Sequence, residues 1–291
     1  MKSASAMWQR VPVAVRAVLI GLLVVTFGAL GWSLLFIATA RLTASVAWAT
    51  GPSFAILGGL YLWAYWRYLG GAGWPRSTAE ARRRNLRGNR LSGAVWAWAL
   101  SAGALAILSY VAFLLVWERV IRLQPWAMFS NLHFSLVTAL CFLLATAAEA
   151  GVVEEAAFRG YMQSPLEKRY GPVIAIVIVS AIFGAMHIAN GSFELTWLFP
   201  YVIFGAVLGI LAYLTNSILP GVMLHATGDA VRFLLVWKLG PNPRRPLVWE
   251  SGADAAFWLK LAAVVFFGAA AVWAYGKLAA ATRLESVSRS S

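Results

Sequence analysis

The chain has 291 residues, 61% of them hydrophobic and only 12% charged, with a mean hydropathy of +0.73 and a formal net charge of +13. A soluble domain carries about 25% charged residues, so the composition excludes one and describes a polytopic membrane protein. Most of the positive charge lies in loops, where membrane topology explains it better than nucleic-acid binding does.

Apolar runs of about 20 residues, the length an α-helix needs to cross about 30 Å of hydrocarbon, recur along the whole sequence. They predict eight spans at 14–38, 44–66, 93–116, 134–152 continuing as a helix to about 169, 172–189, 196–215, 218–236 and 256–276. No room is left for a soluble domain, so the expectation is one all-α integral-membrane domain over residues 1–291, a bundle of about eight transmembrane helices. The first run ends at Ala38-Thr39-Ala40 like a signal sequence, but its apolar core is too long and further spans follow, which predicts an uncleaved anchor.

Lys and Arg accumulate on cytoplasmic loops. The side of the N-terminus collects Lys2, Arg10, Arg16, seven arginines between Arg67 and Arg90, Lys168, Arg169, Lys277, Arg283 and Arg289. The other side has only Arg41, Arg119, Arg122, Lys238, Arg244 and Arg245, so both termini are expected in the cytoplasm. The Arg67–Arg90 loop, with its run Arg82-Arg83-Arg84, also suits anionic lipid head groups. Trp8, Trp66, Trp74, Trp117, Trp126, Trp197, Trp237 and Trp249 near the predicted helix ends read as an interfacial belt. Gly205 and Gly209 read as a close helix contact within the chain. Cys141 reads as a small apolar residue, and Asn190-Gly191-Ser192 as a chance match to a glycosylation acceptor.

Six ionisable side chains interrupt the apolar spans: Glu154, Glu155, Arg159, His187, His225 and Asp229. A charge at the bilayer centre costs about 2.5–3.5 kcal/mol even on lenient scales, so such a cluster marks a functional site. Glu155 and Arg159, four apart with the acid first, are placed for a same-face ion pair. Glu154 points about 100° away around an α-helix and is left to take a proton from water. The Tyr170-Gly171-Pro172 turn makes a hairpin, and Glu154 and His187 lie 17 and 16 residues either side of Gly171. At 1.5 Å per residue both are expected about 25 Å from the turn. His225 and Asp229 share a face of the seventh span. Phe183 reads as packing that supports this site, while His133, Glu194, Arg232 and Lys260 read as interface, snorkelling or packing residues.

Glu154-Glu155-x-x-x-Arg159, Phe183-x-x-x-His187 and His225-x-x-x-Asp229 resemble, in order and spacing, the three motifs of the CAAX protease and bacteriocin-processing family of intramembrane glutamic endopeptidases. The resemblance covers about residues 149–230 and implies a catalytic core at 134–237, with eight helices. It implies Glu154 as the general base that activates water, His187 assisting it, and His225 with Asp229 facing the carbonyl oxygen. Glu155 and Arg159 match the family's supporting pair. Its fourth motif position is often Asn, whose amide donates to an oxyanion; an ionised Asp only accepts, so Asp229 must be protonated or must instead orient His225.

The expected function is therefore a peptidase that cleaves a membrane-associated protein or peptide, lipidated or not, in a bacterial plasma (inner) membrane, with no cofactor and no nucleic-acid partner. Two alternatives stand beside it. Glu154, His187 and His225 could hold zinc in a two-histidine, one-carboxylate site, although His-Glu-x-x-His is absent. The same residues could also belong to a non-catalytic scaffold or immunity protein that holds a hydrophobic peptide.

Overall fold

The structure, a computed structural model, describes residues 10–123, 134–189, 194–240 and 245–290. Lys2, Trp8, Trp126, His133, Asn190-Gly191-Ser192 and Arg244 lie outside them. The described residues form helices and connecting loops, without strand: α1 (Val13–Leu42), α2 (Ala47–Leu69), α3 (Ala79–Leu86), α4 (Gly93–Val120), α5 (Leu136–Tyr170), α6 (Pro172–Ala189), α7 (Leu198–Thr215), α8 (Leu219–Leu239), α9 (Val248–Ser251) and α10 (Ala255–Ser290). Seven of these, all but α2, α3 and α9, are long and apolar enough to cross a membrane. The expected span at 44–66 is a helix, α2, but Trp48, Tyr61, Trp63, Tyr65 and Trp66 together with Gly51, Pro52, Gly58 and Gly59 dilute its hydropathy. Many large apolar side chains on the helices are exposed, among them Phe27, Leu34, Ile56, Val177 and Phe266. Such surfaces need lipid as solvent.

Two compact units are present, Met1–Gly88 with Phe134–Val179 and Asn89–His133 with Ser180–Ser291. In the first, α1 buries a stripe of mostly small residues, Ala17, Gly21, Val25, Gly28 and Trp32, at helical spacing. A Cβ at Gly21 would sit 2.7 Å from Met162 Cε, and one at Gly28 would sit 2.5 Å from Val153 Cγ1. The missing side chains are what let α1 lie against α5, since without a hydrophobic force between helices in lipid, close packing drives association. Tyr61 and Tyr65 of α2 donate their hydroxyls to the Gly28 and Val24 carbonyls at 2.8 and 2.9 Å. Trp32, Phe36, Phe54 and Phe142 close the other end of this layer as edge-on and tilted ring pairs.

The basic loop after α2 is more ordered than its charge suggests. Arg82 is buried and donates to the carbonyls of Tyr68, Ala72 and Pro75 at 2.9, 2.9 and 3.1 Å and to the Thr78 hydroxyl. Its fork of N–H donors thereby satisfies a turn that has few backbone partners of its own. Arg87 is buried as well and pairs with Glu167 at 3.1 Å. Both arginines are scaffolding, which leaves the exposed members of the loop, such as Arg83 and Arg84, as the cations available to head groups.

In the second unit, Val95 and Ala99 of α4, Leu208 and Leu211 of α7 and Leu278 of α10 form the core. Glycine again permits close approach: a Cβ at Gly205 would lie 3.1 Å from Ser180 Cα, and one at Gly184 would lie 3.1 Å from the Leu198 carbonyl oxygen. These contacts bring α6 and α7 together within the chain. In the last turn of α4, Arg119 bonds Asp254 at 3.2 Å and the Ser251 hydroxyl and Gly252 carbonyl at 3.1 Å each. The Phe257 N–H and Arg119 hold the Asp254 carboxyl below the usual carboxylate range.

Candidate functional site

The first motif falls where the backbone changes form. After Glu154, α5 widens into a π-helix over Glu155–Met162 before resuming as an α-helix at Gln163–Tyr170. The Gln163 N–H reaches back five residues to the Phe158 carbonyl, the hydrogen-bond pattern of a π turn, and such turns recur at functional sites. The cause lies in the packing around the segment. Gly160 is pressed against loop backbone, with its missing Cβ 3.0 Å from the Asn85 carbonyl oxygen and 3.1 Å from that of Leu86. The Tyr161 hydroxyl donates to the Leu69 carbonyl at 2.9 Å. A π-helix climbs less per residue than an α-helix, so Glu154 stands nearer the Gly171 turn than the ideal-helix figure of about 25 Å.

Within this segment the Arg159 guanidinium donates to Glu155 at 2.8 Å, and both side chains are fully shielded, at 0% exposure. A buried pair is tolerable only when each charge meets the other in good geometry, and this one does. Glu154, one residue earlier, is less deeply buried than Glu155. The turn expected from Tyr170-Gly171-Pro172 is present: α5 ends at Tyr170, Gly171 takes φ +81°, and α6 starts at Pro172.

The second unit holds the two histidines. His187, near the end of α6, brings Nδ1 to 2.8 Å from the Phe183 carbonyl oxygen. A carbonyl only accepts, so Nδ1 carries the proton, and in the neutral ring Nε2 presents a lone pair. The ring is clamped between aromatics, stacked on Tyr201 with centroids 4.2 Å apart and 4.5 Å from Phe183. Phe183 is fully buried and also packs edge-on against His225. His225 is buried with its edge against Phe204, and its Nε2 lies 3.6 Å from Asp229 Oδ2, an ion-pair contact too long for a hydrogen bond.

Tyr201 and Arg232 belong to this cluster and were not expected from the sequence. Arg232 donates to the Tyr201 hydroxyl at 3.4 Å and lies over the Trp197 ring, which ties it to the aromatic cluster around His187. Trp197 itself is buried and does not join an interfacial belt. The signal was available in the spacing: His225, Asp229 and Arg232 recur at i, i+4 and i+7, one face of α8. Among the described residues, no group of three or more His, Cys, Asp or Glu side chains is gathered as a metal ion requires.

Comparison with known proteins gives one match. No curated protein and no solved structure is similar to the chain. Seven apolar helices and the family match together make the chain an integral membrane protein. Residues 134–231, the third of the chain that carries all three motifs, match the family model described as Type II CAAX prenyl endopeptidase Rce1-like.

Proposed function

We propose that the protein is an intramembrane endopeptidase of the CAAX type, and that Glu154, His187 and His225 carry its chemistry. The observation that carries this reading is the coincidence of all three motifs with the Rce1-like segment. Glu154 takes a proton from water held by the Nε2 lone pair of His187, and the resulting hydroxide attacks the scissile carbonyl carbon. Negative charge then grows on the carbonyl oxygen, where an N–H of His225 stabilises it. The protonated Glu154 returns its proton to the amine nitrogen as the C–N bond breaks.

The surroundings of these residues support the division of labour. Glu155 and Arg159 pair with each other with neither side chain exposed, which leaves Glu154, the less buried of the two carboxylates, as the base. Asp229, beside Nε2 of His225, acts by orienting that ring. The substrate class is a membrane-associated protein or peptide, the membrane a bacterial plasma membrane, and the excess of Lys and Arg on one side supports placing both termini in the cytoplasm.

Glu154→Gln keeps the shape and removes the base. The expected result is loss of cleavage by about 10²–10⁴-fold in a protein that inserts and unfolds as the wild type does, with uncleaved membrane peptides accumulating in cells. Normal turnover by Glu154→Gln rejects the reading. Activity that survives exhaustive chelation, in protein carrying no metal, separates it from zinc chemistry, and full biological function in the Glu154→Gln strain would establish a binding protein instead.

A further inference from the structure

A cleft of about 550 Å³ opens in the first unit between the start of α1, the end of α3 and the last turns of α5. Four cations line it, Arg16, Arg84, Lys168 and Arg169, over apolar Ile20 and Pro165, and no acidic side chain lines it among the described residues. These cations come from three separate segments. Topology alone asks only that basic residues lie on one side of the membrane, not that they converge on a hollow. The Arg16 Nε is buried and has no hydrogen-bond partner among the described residues. A buried guanidinium N–H without an acceptor is unfavourable, and an oxyanion in the cleft would supply one.

The surface leading away from the cleft identifies the anion. On α1, Leu23, Phe27, Leu30 and Leu34 follow Arg16 at i+7, i+11, i+14 and i+18, within about 40° of its direction around the helix, and all four are exposed. From Arg16 to Phe27 the helix rises about 16 Å, close to one leaflet of a hydrocarbon core about 30 Å thick. A cationic pocket that continues into an exposed apolar track, one leaflet deep at Phe27 and about 27 Å long at Leu34, has the shape of an anionic amphiphile. A soluble phosphate would use the pocket and not the track.

We infer that this cleft binds the phosphate of an anionic phospholipid, with Arg16 and Arg84 on its oxygens and the acyl chains along the Leu23–Leu34 face of α1. Guanidinium forks suit phosphate because they donate two parallel hydrogen bonds. Arg82 and Arg87, committed to the carbonyls of their own loop and to Glu167, take no part.

Native mass spectrometry of the detergent-purified full chain, titrated with dioleoyl phosphatidylglycerol or dioleoyl phosphatidylcholine, tests this. Basic residues near a membrane surface favour anionic lipid, so phosphatidylglycerol should be retained about tenfold better by the wild type. Arg16→Gln/Arg84→Gln should erase that preference. Arg76→Gln/Arg83→Gln, the same charge change outside the cleft, should keep it. Should the first double variant fail to fold, the exposed pair Lys168→Gln/Arg169→Gln makes the same comparison. Equal retention of the two lipids by the wild type overturns the inference, as does an equal loss in both double variants, which would mean diffuse surface charge. Displacement of the bound lipid by sn-glycerol 3-phosphate at a similar concentration also overturns it, because the pocket would then take soluble phosphate.

Discussion

Glu155 with Arg159 and His225 with Asp229 share one spacing, i and i+4, and part company in everything else. The first pair closes at 2.8 Å with neither side chain exposed; the second stands at 3.6 Å with the Asp229 side chain 22% exposed. Spacing brings two side chains onto one face, but packing decides whether they meet. Around Glu155 the π-helix and the backbone pressed on Gly160 leave no room for water, so the charges must neutralise each other. Around His225 aromatic rings hold the imidazole while one side of Asp229 is left uncovered by protein, so the contact can loosen. The sealed pair holds the scaffold, and the looser one has the freedom that chemistry on a changing substrate requires.

The strongest way to break this contrast is to remove one partner of the sealed pair. Arg159→Met should destabilise the protein by about 3–5 kcal/mol, because it strands Glu155 as an uncompensated buried charge. Thermal unfolding of the variant and of the double variant Glu155→Met/Arg159→Met measures it. The double variant should recover most of the loss, and if it does not, the pair is no closed unit. Gly160→Ala comes next, at about 1–3 kcal/mol, since its methyl must displace the Asn85 and Leu86 backbone; an unchanged midpoint would show that the segment can relax.

At the second pair the same operation should do little to stability. Asp229→Ala is expected to change it by less than about 1 kcal/mol while lowering turnover, and a stability loss as large as that of Arg159→Met would erase the distinction. The smallest effect concerns Asp254 at the surface of the second unit. Its folded carboxyl titrates below its unfolded value of about 3.9, so it stabilises the fold above that pH, and the contribution fades as pH falls through the folded value. Asp254→Asn should remove this part of the acid sensitivity below pH about 4 and leave the stability curve near neutrality parallel to the wild type, as urea titrations at several pH values would show.

How far the sequence could be read follows the same line. Features set by local chemistry were legible: the apolar runs, the Gly171-Pro172 turn and the Glu155–Arg159 alignment all depend on residues within a turn or two of one another. The π-helix was not, because nothing in Glu155–Met162 itself demands it; it is shaped by Asn85, Leu86 and Leu69, distant in sequence. Arg82 read as one of a run of surface charges, yet its carbonyl partners at Tyr68, Ala72 and Pro75 give it a different role. The contact of Arg232 with Tyr201 was not legible either, because Tyr201 sits on another helix.

The glycine stripe of α1 also bears on how the protein is made. Gly21 and Gly28 fit against Met162 and Val153, residues synthesised more than a hundred positions later. At about 5–20 residues per second, α1 spends on the order of ten seconds in the bilayer before its partner exists. Its earlier partner is α2, whose tyrosines hold it through the carbonyls of Val24 and Gly28, beside the Trp32–Phe54 ring contact. Tyr61 and Tyr65 are thus positioned to act as a temporary clasp during biogenesis, keeping the glycine face of α1 from a wrong neighbour until α5 arrives.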